Sequence, residues 1–274
     1  MSISLARIAA RAALVCLVTA ASLGTVFVSR AAAGTTEGTS RASVRTTELV
    51  TAKPDAEPRG HYASSPVKLR AEDGGRDLLA YPPSASAAAR PMTVVYLHGI
   101  RGRPENGCPW FRGGASELGW LVCPEGAVHH ANGTASWGGD VFAQSTVVSR
   151  ALRAARERGA SNEPGVAVGF SQGGYVALDL VKTGQARFRG LVLISAPEAH
   201  PCAQRLRVSG GVRGALAAGS EDAAYSPLAE DAKRLQREGM EARFFDLGRV
   251  GHTYAAEDTA TLREAIAWAG GIRE

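Results

Sequence analysis

Three residue types that together can break an acyl bond occur in the order serine, acid, histidine along this chain. Ser171 stands in Gly169-Phe170-Ser171-Gln172-Gly173, Asp222 ends Gly219-Ser220-Glu221-Asp222, and His252 follows Gly251. A serine hydroxyl is a weak nucleophile until an imidazole takes its proton, and a carboxylate behind the imidazole holds the tautomer that can do so. The spaced glycines around Ser171 allow a turn tight enough to leave its side chain standing above a strand while a helix begins behind it. With 32 glycines in the chain the pattern alone is weak. Context strengthens it: GVAV before the serine reads as a buried strand, and YVALDLV after it reads as a helix.

Charge that develops on an attacked carbonyl oxygen needs backbone N–H donors close by. Ile100, after His98-Gly99 at the end of the apolar run VVYL, offers one; Gln172, directly after the serine and at a helix start, offers the other. The side chain of His98 reads as a structural turn histidine; His252, in a glycine-containing loop, completes the order serine, acid, histidine and is assigned as the base. Glu221 beside Asp222 competes for the role of the acid, and the bland alternative is a surface loop carrying two carboxylates. Asp222 is preferred.

These groups need a frame, and from residue 67 onward short β-prone runs alternate with longer helical ones. Strands are expected at 67–71, 77–83, 92–99, 120–126, 165–170, 188–195, 212–220 and 242–248. Helices are expected over 140–159, where Val147, Val148, Ala151, Leu152 and Ala155 share a face, and over 172–183. A third starts with Ser226 as cap and Pro227 as first residue and stops at Gly239; a last one, capped by Asp258, carries Leu262, Ala265, Ile266 and Ala269 on one side. Eight strands interleaved with helices define an α/β class, a mostly parallel sheet covered on both faces. In such sheets functional groups collect beyond the carboxyl ends of the strands, where all the residues above fall. The short stretch 195–212 leaves no room for a large lid, so an open site is expected. Trp110, Phe111, Trp137 and Tyr175 lie near its mouth, able to grip an apolar group or simply to pack.

The 274 residues, 45% hydrophobic, are enough for one domain with a sizeable core. Residues 1–33 show Arg7 and Arg11, an apolar run over about 12–28 and then small residues, the order of a secretory signal peptide, with an uncleaved anchor as the rival. Cys16 follows Leu14 and Val15, poor company for lipid attachment. Residues 34–65, rich in Thr, Ser, Glu, Arg, Gly and Pro, read as a disordered linker, which leaves 66–274 as the folded domain. Of the formal charge of +5, three units come from Arg7, Arg11 and Arg30, so no nucleic-acid surface is expected. Contact with a membrane is expected only through an uncleaved N-terminus.

Export would place Cys108, Cys123 and Cys202 in an oxidising compartment. Cys108 and Cys123, nearest in sequence, are the favoured bridge; Cys202 is left free or as an alternative partner, and three reduced thiols are the other reading. His129 and His130 are adjacent and lack a third ligand at a recognisable spacing, so no metal site is assigned.

The order Ser, acid, His is one of three unrelated orders in which such groups occur, and with GFSQGG and LHG it makes the chain resemble the α/β-hydrolase superfamily. Within it the resemblance is to the phospholipase/carboxylesterase group, which includes acyl-protein thioesterases. It extends over residues 67–271 and includes Pro124-Glu125-Gly126 and Ala135-Ser136-Trp137. It implies Ser171 as nucleophile, Asp222 as acid, His252 as base, Ile100 and Gln172 as oxyanion donors, and no metal or organic cofactor. The chain departs from the group where AAYSP follows the acid and in its export signal. The expected activity is hydrolysis of small carboxylic esters through an acyl-serine. Peptidase, thioesterase or acyltransferase chemistry on the same residues, or a non-catalytic envelope-binding protein with this fold, are the alternatives.

Overall fold

In the computed structural model, which describes residues 65–70, 76–85, 87, 91–196, 212–254 and 259–272, the chain alternates strands and helices. It begins with β1 (Val67–Leu69), β2 (Leu78–Tyr81) and β3 (Met92–Leu97), then α1 (Pro104–Leu118) and β4 (Gly119–Cys123). A short hairpin follows, β5 (Val128–His129) and β6 (Ala135–Ser136), then α2 (Val141–Glu157), β7 (Gly165–Phe170) and α3 (Gln172–Lys182). The chain continues through β8 (Phe188–Ile194), β9 (Arg213–Ala218), α4 (Tyr225–Arg237), β10 (Ala242–Asp246) and α5 (Ala260–Gly270). The proposed signal segment, nearly all of the linker, Cys202, Asp258 and residues 197–211 lie outside the described residues.

Eight strands form one sheet in the order β1-β2-β4-β3-β7-β8-β9-β10. Only β2 runs against the rest, pairing antiparallel with β1 and β4; from β4 to β10 every pairing is parallel. The central strands are apolar at nearly every step because the two faces of the sheet are both covered. Val95, Leu97, Ala167, Leu191, Leu193, Leu216 and Ala218 point to the face packed by α2, α3 and α4. Val94, Tyr96, Val166, Val168, Val192, Ile194, Ala215 and Ala217 point to the face packed by α1 and α5. The eight expected strands and the mostly parallel sheet are therefore present, and the described residues form no additional domain.

Two local expectations change, and one is met. Residues 104–118, assigned to no element from sequence, form α1, with Pro104 at its first position and Cys108 and Phe111 buried. The favoured bridge between Cys108 and Cys123 is present, and it ties α1 to the end of β4. Helix α4 starts at Tyr225 instead of Pro227: the Asp222 carboxylate accepts the Ala224 N–H at 2.9 Å and the Asp222 carbonyl accepts that of Tyr225 at 3.0 Å. Ser226 is thus inside the first turn and caps nothing.

Candidate active site

Ser171 joins β7 to α3 with φ 49° and ψ −119°, a conformation that L-residues rarely adopt. Two glycines make it possible by contact. A Cβ on Gly173 would sit 1.9 Å from the Leu97 carbonyl oxygen, and one on Gly169 would sit 2.4 Å from that of Gly173. The turn is pressed against the end of β3, where only hydrogen atoms fit. The Ser171 N–H donates to the Ile194 carbonyl at 2.8 Å, which fixes the backbone to β8 and leaves the side chain at the surface of the turn.

The Ser171 hydroxyl donates to His252 Nε2 at 3.0 Å, and His252 Nδ1–H donates to Asp222 Oδ2 at 3.2 Å. His252 lies in the loop after β10 with its side chain 41% exposed, whereas the Asp222 side chain is 3% exposed. The burial of Asp222 follows from how its loop is zipped to that of His252. Ser220 N–H donates to Gly248 O at 2.8 Å, Glu221 N–H to Val250 O at 3.1 Å, and Leu247 N–H to Ala218 O at 3.0 Å. Glu221 faces outward to Arg249 at 3.4 Å, an exposed pair, so of the two acids it is Asp222 that meets the imidazole. The Phe170 ring packs 5.2 Å from the His252 ring and 4.8 Å, edge to face, from that of Tyr254. That support escaped the sequence reading, in which Phe170 was only the variable position of a motif.

Ile100 follows β3 and is 61% exposed; a Cβ on Gly99, the residue before it, would lie 3.5 Å from Ser171 Cβ. As the first residue of α3, Gln172 has an N–H with no acceptor inside the helix. Its side chain, which has no role in the motif, clamps the main chain of Trp137: Oε1 accepts the Trp137 N–H at 3.0 Å and Nε2 donates to the Trp137 carbonyl at 3.1 Å. His98 is buried and structural, as expected. Its Nδ1–H donates to the Gly99 carbonyl at 2.8 Å and its Nε2 accepts the Gly126 N–H at 3.0 Å. Desolvation lowers its pKa from the ordinary value, against the opposing pull of the Gly99 carbonyl, so the ring stays a neutral brace.

The aromatic residues divide. Phe111 is core, packed on Tyr96 and Tyr254. Trp137 is almost wholly buried: its Nε1–H donates to the His98 carbonyl at 2.9 Å and its ring lies 5.3 Å from the His98 imidazole. It braces the turn. Trp110, edge-on to Tyr254, and Tyr175 keep part of their surface open. His129 faces Glu125 at 3.6 Å while His130 faces Ser136 at 2.9 Å, and among the described residues no group of three His, Cys, Asp or Glu could share a metal ion.

No family model matches this sequence, and no curated protein does. Among solved structures it is similar to fluorophosphonate-binding serine hydrolase F from Staphylococcus aureus, with 15% identity and a TM-score of 0.55 over 77% of this chain and 99% of that one. It is similar to a carboxylesterase from Bacillus cereus, with 18% identity and a TM-score of 0.52 over 70% of this chain and 93% of that one. An uncharacterised Bacillus cereus protein matches with 17% identity and a TM-score of 0.57; 68% of this chain is covered, and the chain spans 61% of that protein's length. At such identities what is shared is the architecture. The chain has the α/β-hydrolase fold.

Proposed function

We propose that the protein is a serine hydrolase that cleaves small carboxylic esters through an acyl-Ser171 intermediate. The observation that carries this reading is the hydrogen-bonded line Ser171–His252–Asp222, with its serine on a strained strand-to-helix turn. Attack by Ser171 Oγ on the ester carbonyl transfers the hydroxyl proton to His252 Nε2. Asp222 holds the Nδ1–H tautomer and stabilises the imidazolium that forms. The tetrahedral oxygen takes N–H bonds from Ile100 and Gln172, with the start of α3 adding its dipole. Collapse breaks the bond to the alkoxide, which leaves with the proton of His252. A water then repeats the sequence, giving its proton to His252, and the acid and free serine are released.

The similar solved structures include a serine hydrolase named for binding fluorophosphonates and a carboxylesterase, which supports this reaction class. Export fits the order of residues 1–33 and the bond between Cys108 and Cys123, which persists in an oxidising compartment. Trp110 and Tyr175 are the proposed walls for the substrate's apolar part. In a direct experiment the full chain is treated with a fluorophosphonate probe and digested. The adduct is expected on the Ser171 peptide, and Ser171→Ala should lose both the adduct and turnover of a short p-nitrophenyl ester, by about 10⁶-fold in kcat. Labelling elsewhere, or activity retained by the alanine variant, would sink the reading.

A further inference from the structure

The N–H of Ile100 belongs to the peptide that begins at the Gly99 carbonyl. That peptide is trans and planar, so its carbonyl and its N–H point in opposite directions, and whatever holds one aims the other. Local preference does not hold it. Gly99 has no Cβ to restrict the rotation that swings this peptide. Arg101, two residues on, sits at φ 51°, so the turn is not one that its residues favour.

Two donors hold the Gly99 carbonyl instead. The Gly102 N–H reaches it at 3.0 Å across the turn, and His98 Nδ1–H reaches it at 2.8 Å. Together they occupy both lone pairs of the oxygen. The imidazole is set for this task from its other side, where the Gly126 N–H donates to His98 Nε2 at 3.0 Å. An N–H can only donate and a carbonyl only accept, so the tautomer with its proton on Nδ1 is the one that satisfies both partners. Burial fixes the ring: His98 is 1% exposed, and the Trp137 ring lies 5.3 Å away. Gly102 closes over the bond, since a Cβ there would lie 2.8 Å from both Nδ1 and the Gly99 oxygen. On the far side of the same peptide, the Ile100 N–H has no acceptor among the described residues.

From this we infer that His98 is a positioning residue for the oxyanion donor Ile100, its Nδ1–H gripping the carbonyl of the very peptide that carries the donor. The inference rests on the ester-hydrolysis reading. In this role His98 touches no substrate atom; its effect reaches the transition state through the direction of one N–H.

The test compares wild type with His98→Asn, His98→Leu and His98→Gln on a p-nitrophenyl ester. Asparagine puts an amide N–H where Nδ1 stands, leucine has the same branching and no donor, and both lose the acceptor for Gly126. His98→Asn should keep kcat within about threefold of wild type. His98→Leu should run about tenfold slower than His98→Asn with KM within about twofold, the pattern of a weakened transition-state contact. A role in packing or in holding Gly126 alone predicts equal rates for the two, and that result would overturn the inference. If the leucine variant does not fold, His98→Gln takes its place: it can still accept the Gly126 N–H but offers Gly99 no donor, so it should be as slow, and a rate equal to that of His98→Asn counts against the role. Crystal structures separate the inference from the reaction. The Gly99–Ile100 peptide should keep its orientation in His98→Asn and turn in His98→Leu; an unturned peptide in the leucine variant would refute the inference even if no ester were hydrolysed. Wild-type protein inert toward both the ester and the fluorophosphonate probe would instead sink the ester reading, with the grip of His98 on Gly99 still judged by the orientation of that peptide.

Discussion

Two regions at opposite ends of the sheet differ in what they hold. At the carboxyl ends of β3, β7 and β8, three neighbouring strands, lie Arg101, Ser171 and Ser195, the non-glycine residues with positive φ among those described. Asp222 and His98 are buried there and hydrogen-bonded, Asp222 to His252 and to the Ala224 N–H, His98 to the Gly99 carbonyl and the Gly126 N–H. At the amino ends of β9 and β10 a groove of about 730 Å³ runs along α5, lined by Arg213, Glu241, Arg243, Glu264, Arg263 and Trp268 among others. No member of the Ser171–His252–Asp222 line borders it. Its charges neutralise one another in partly exposed pairs: Arg243 with Glu264 at 2.7 Å, Arg213 with Glu241, and Arg263 with Glu117. Strain and desolvated hydrogen bonds set the first region apart, because both cost stability and are retained only where the surroundings impose them.

If that contrast is right, the largest effect after loss of Ser171 itself should follow from touching the buried acid. Asp222→Asn should reduce kcat by about 10⁴-fold, since the amide favours the wrong imidazole tautomer. Glu221→Gln, a change to an exposed pair one residue away, should alter it less than about twofold. Steady-state rates on one ester check both, and the reverse ranking would move the acid to Glu221. Next comes the strained turn. Gly173→Ala should cost about 3 kcal/mol or more of unfolding free energy in denaturant titration, because its Cβ meets the Leu97 carbonyl at 1.9 Å. Gly139→Ala, where nothing lies within 4 Å, should stay within about 0.5 kcal/mol.

The buried brace should show as a pH effect. Burial lowers the His98 pKa from 6.5, so as pH falls the unfolded chain takes up a proton there before the folded chain does. His98 thus leaves stability whole above about 6.5 and erodes it as pH drops toward the lowered folded value. Thermal unfolding followed from about pH 7 to about pH 5 should fall less steeply in His98→Asn than in wild type, and equal slopes would remove His98 from the account. Smallest is the groove: Arg243→Ala should change stability by less than about 1 kcal/mol and leave turnover alone. A large loss of turnover would show that the groove takes part in the chemistry after all.

Much of this was legible from residues in a row. The strands on either side of the site are apolar runs of β-prone residues, and α2 shows its buried face in the spacing of Val148, Ala151 and Ala155. Helix α1 was not legible, and the reason lies in its glycines. Gly107, Gly113, Gly114 and Pro109 are poor helix formers, so the segment reads as a breaker. In the fold, a Cβ on Gly107 would lie 2.2 Å from the Tyr96 hydroxyl and one on Gly114 2.9 Å from the Arg263 backbone. Close packing of α1 on β3 and α5 demands the residues that local propensity counts against it. The aromatic residues near the site were ambiguous for a related reason: burial of Trp137 and partial exposure of Trp110 depend on neighbours more than 25 residues away in sequence, Tyr254 and His98 among them.

The sequence by itself determined the strand, turn and helix around Ser171, the order of serine, acid and histidine, and the alternation that makes a parallel sheet, because these depend on backbone propensity and short-range periodicity. Tertiary structure alone decided that Asp222 rather than Glu221 meets His252, that the amide of Gln172 grips Trp137, and that the Ser136 hydroxyl accepts the Arg101 N–H. Each of those outcomes is a bond between side chains or turns 30 or more residues apart. Its geometry is set by how loops are zipped together at the end of the sheet, a distance relation that no local pattern encodes.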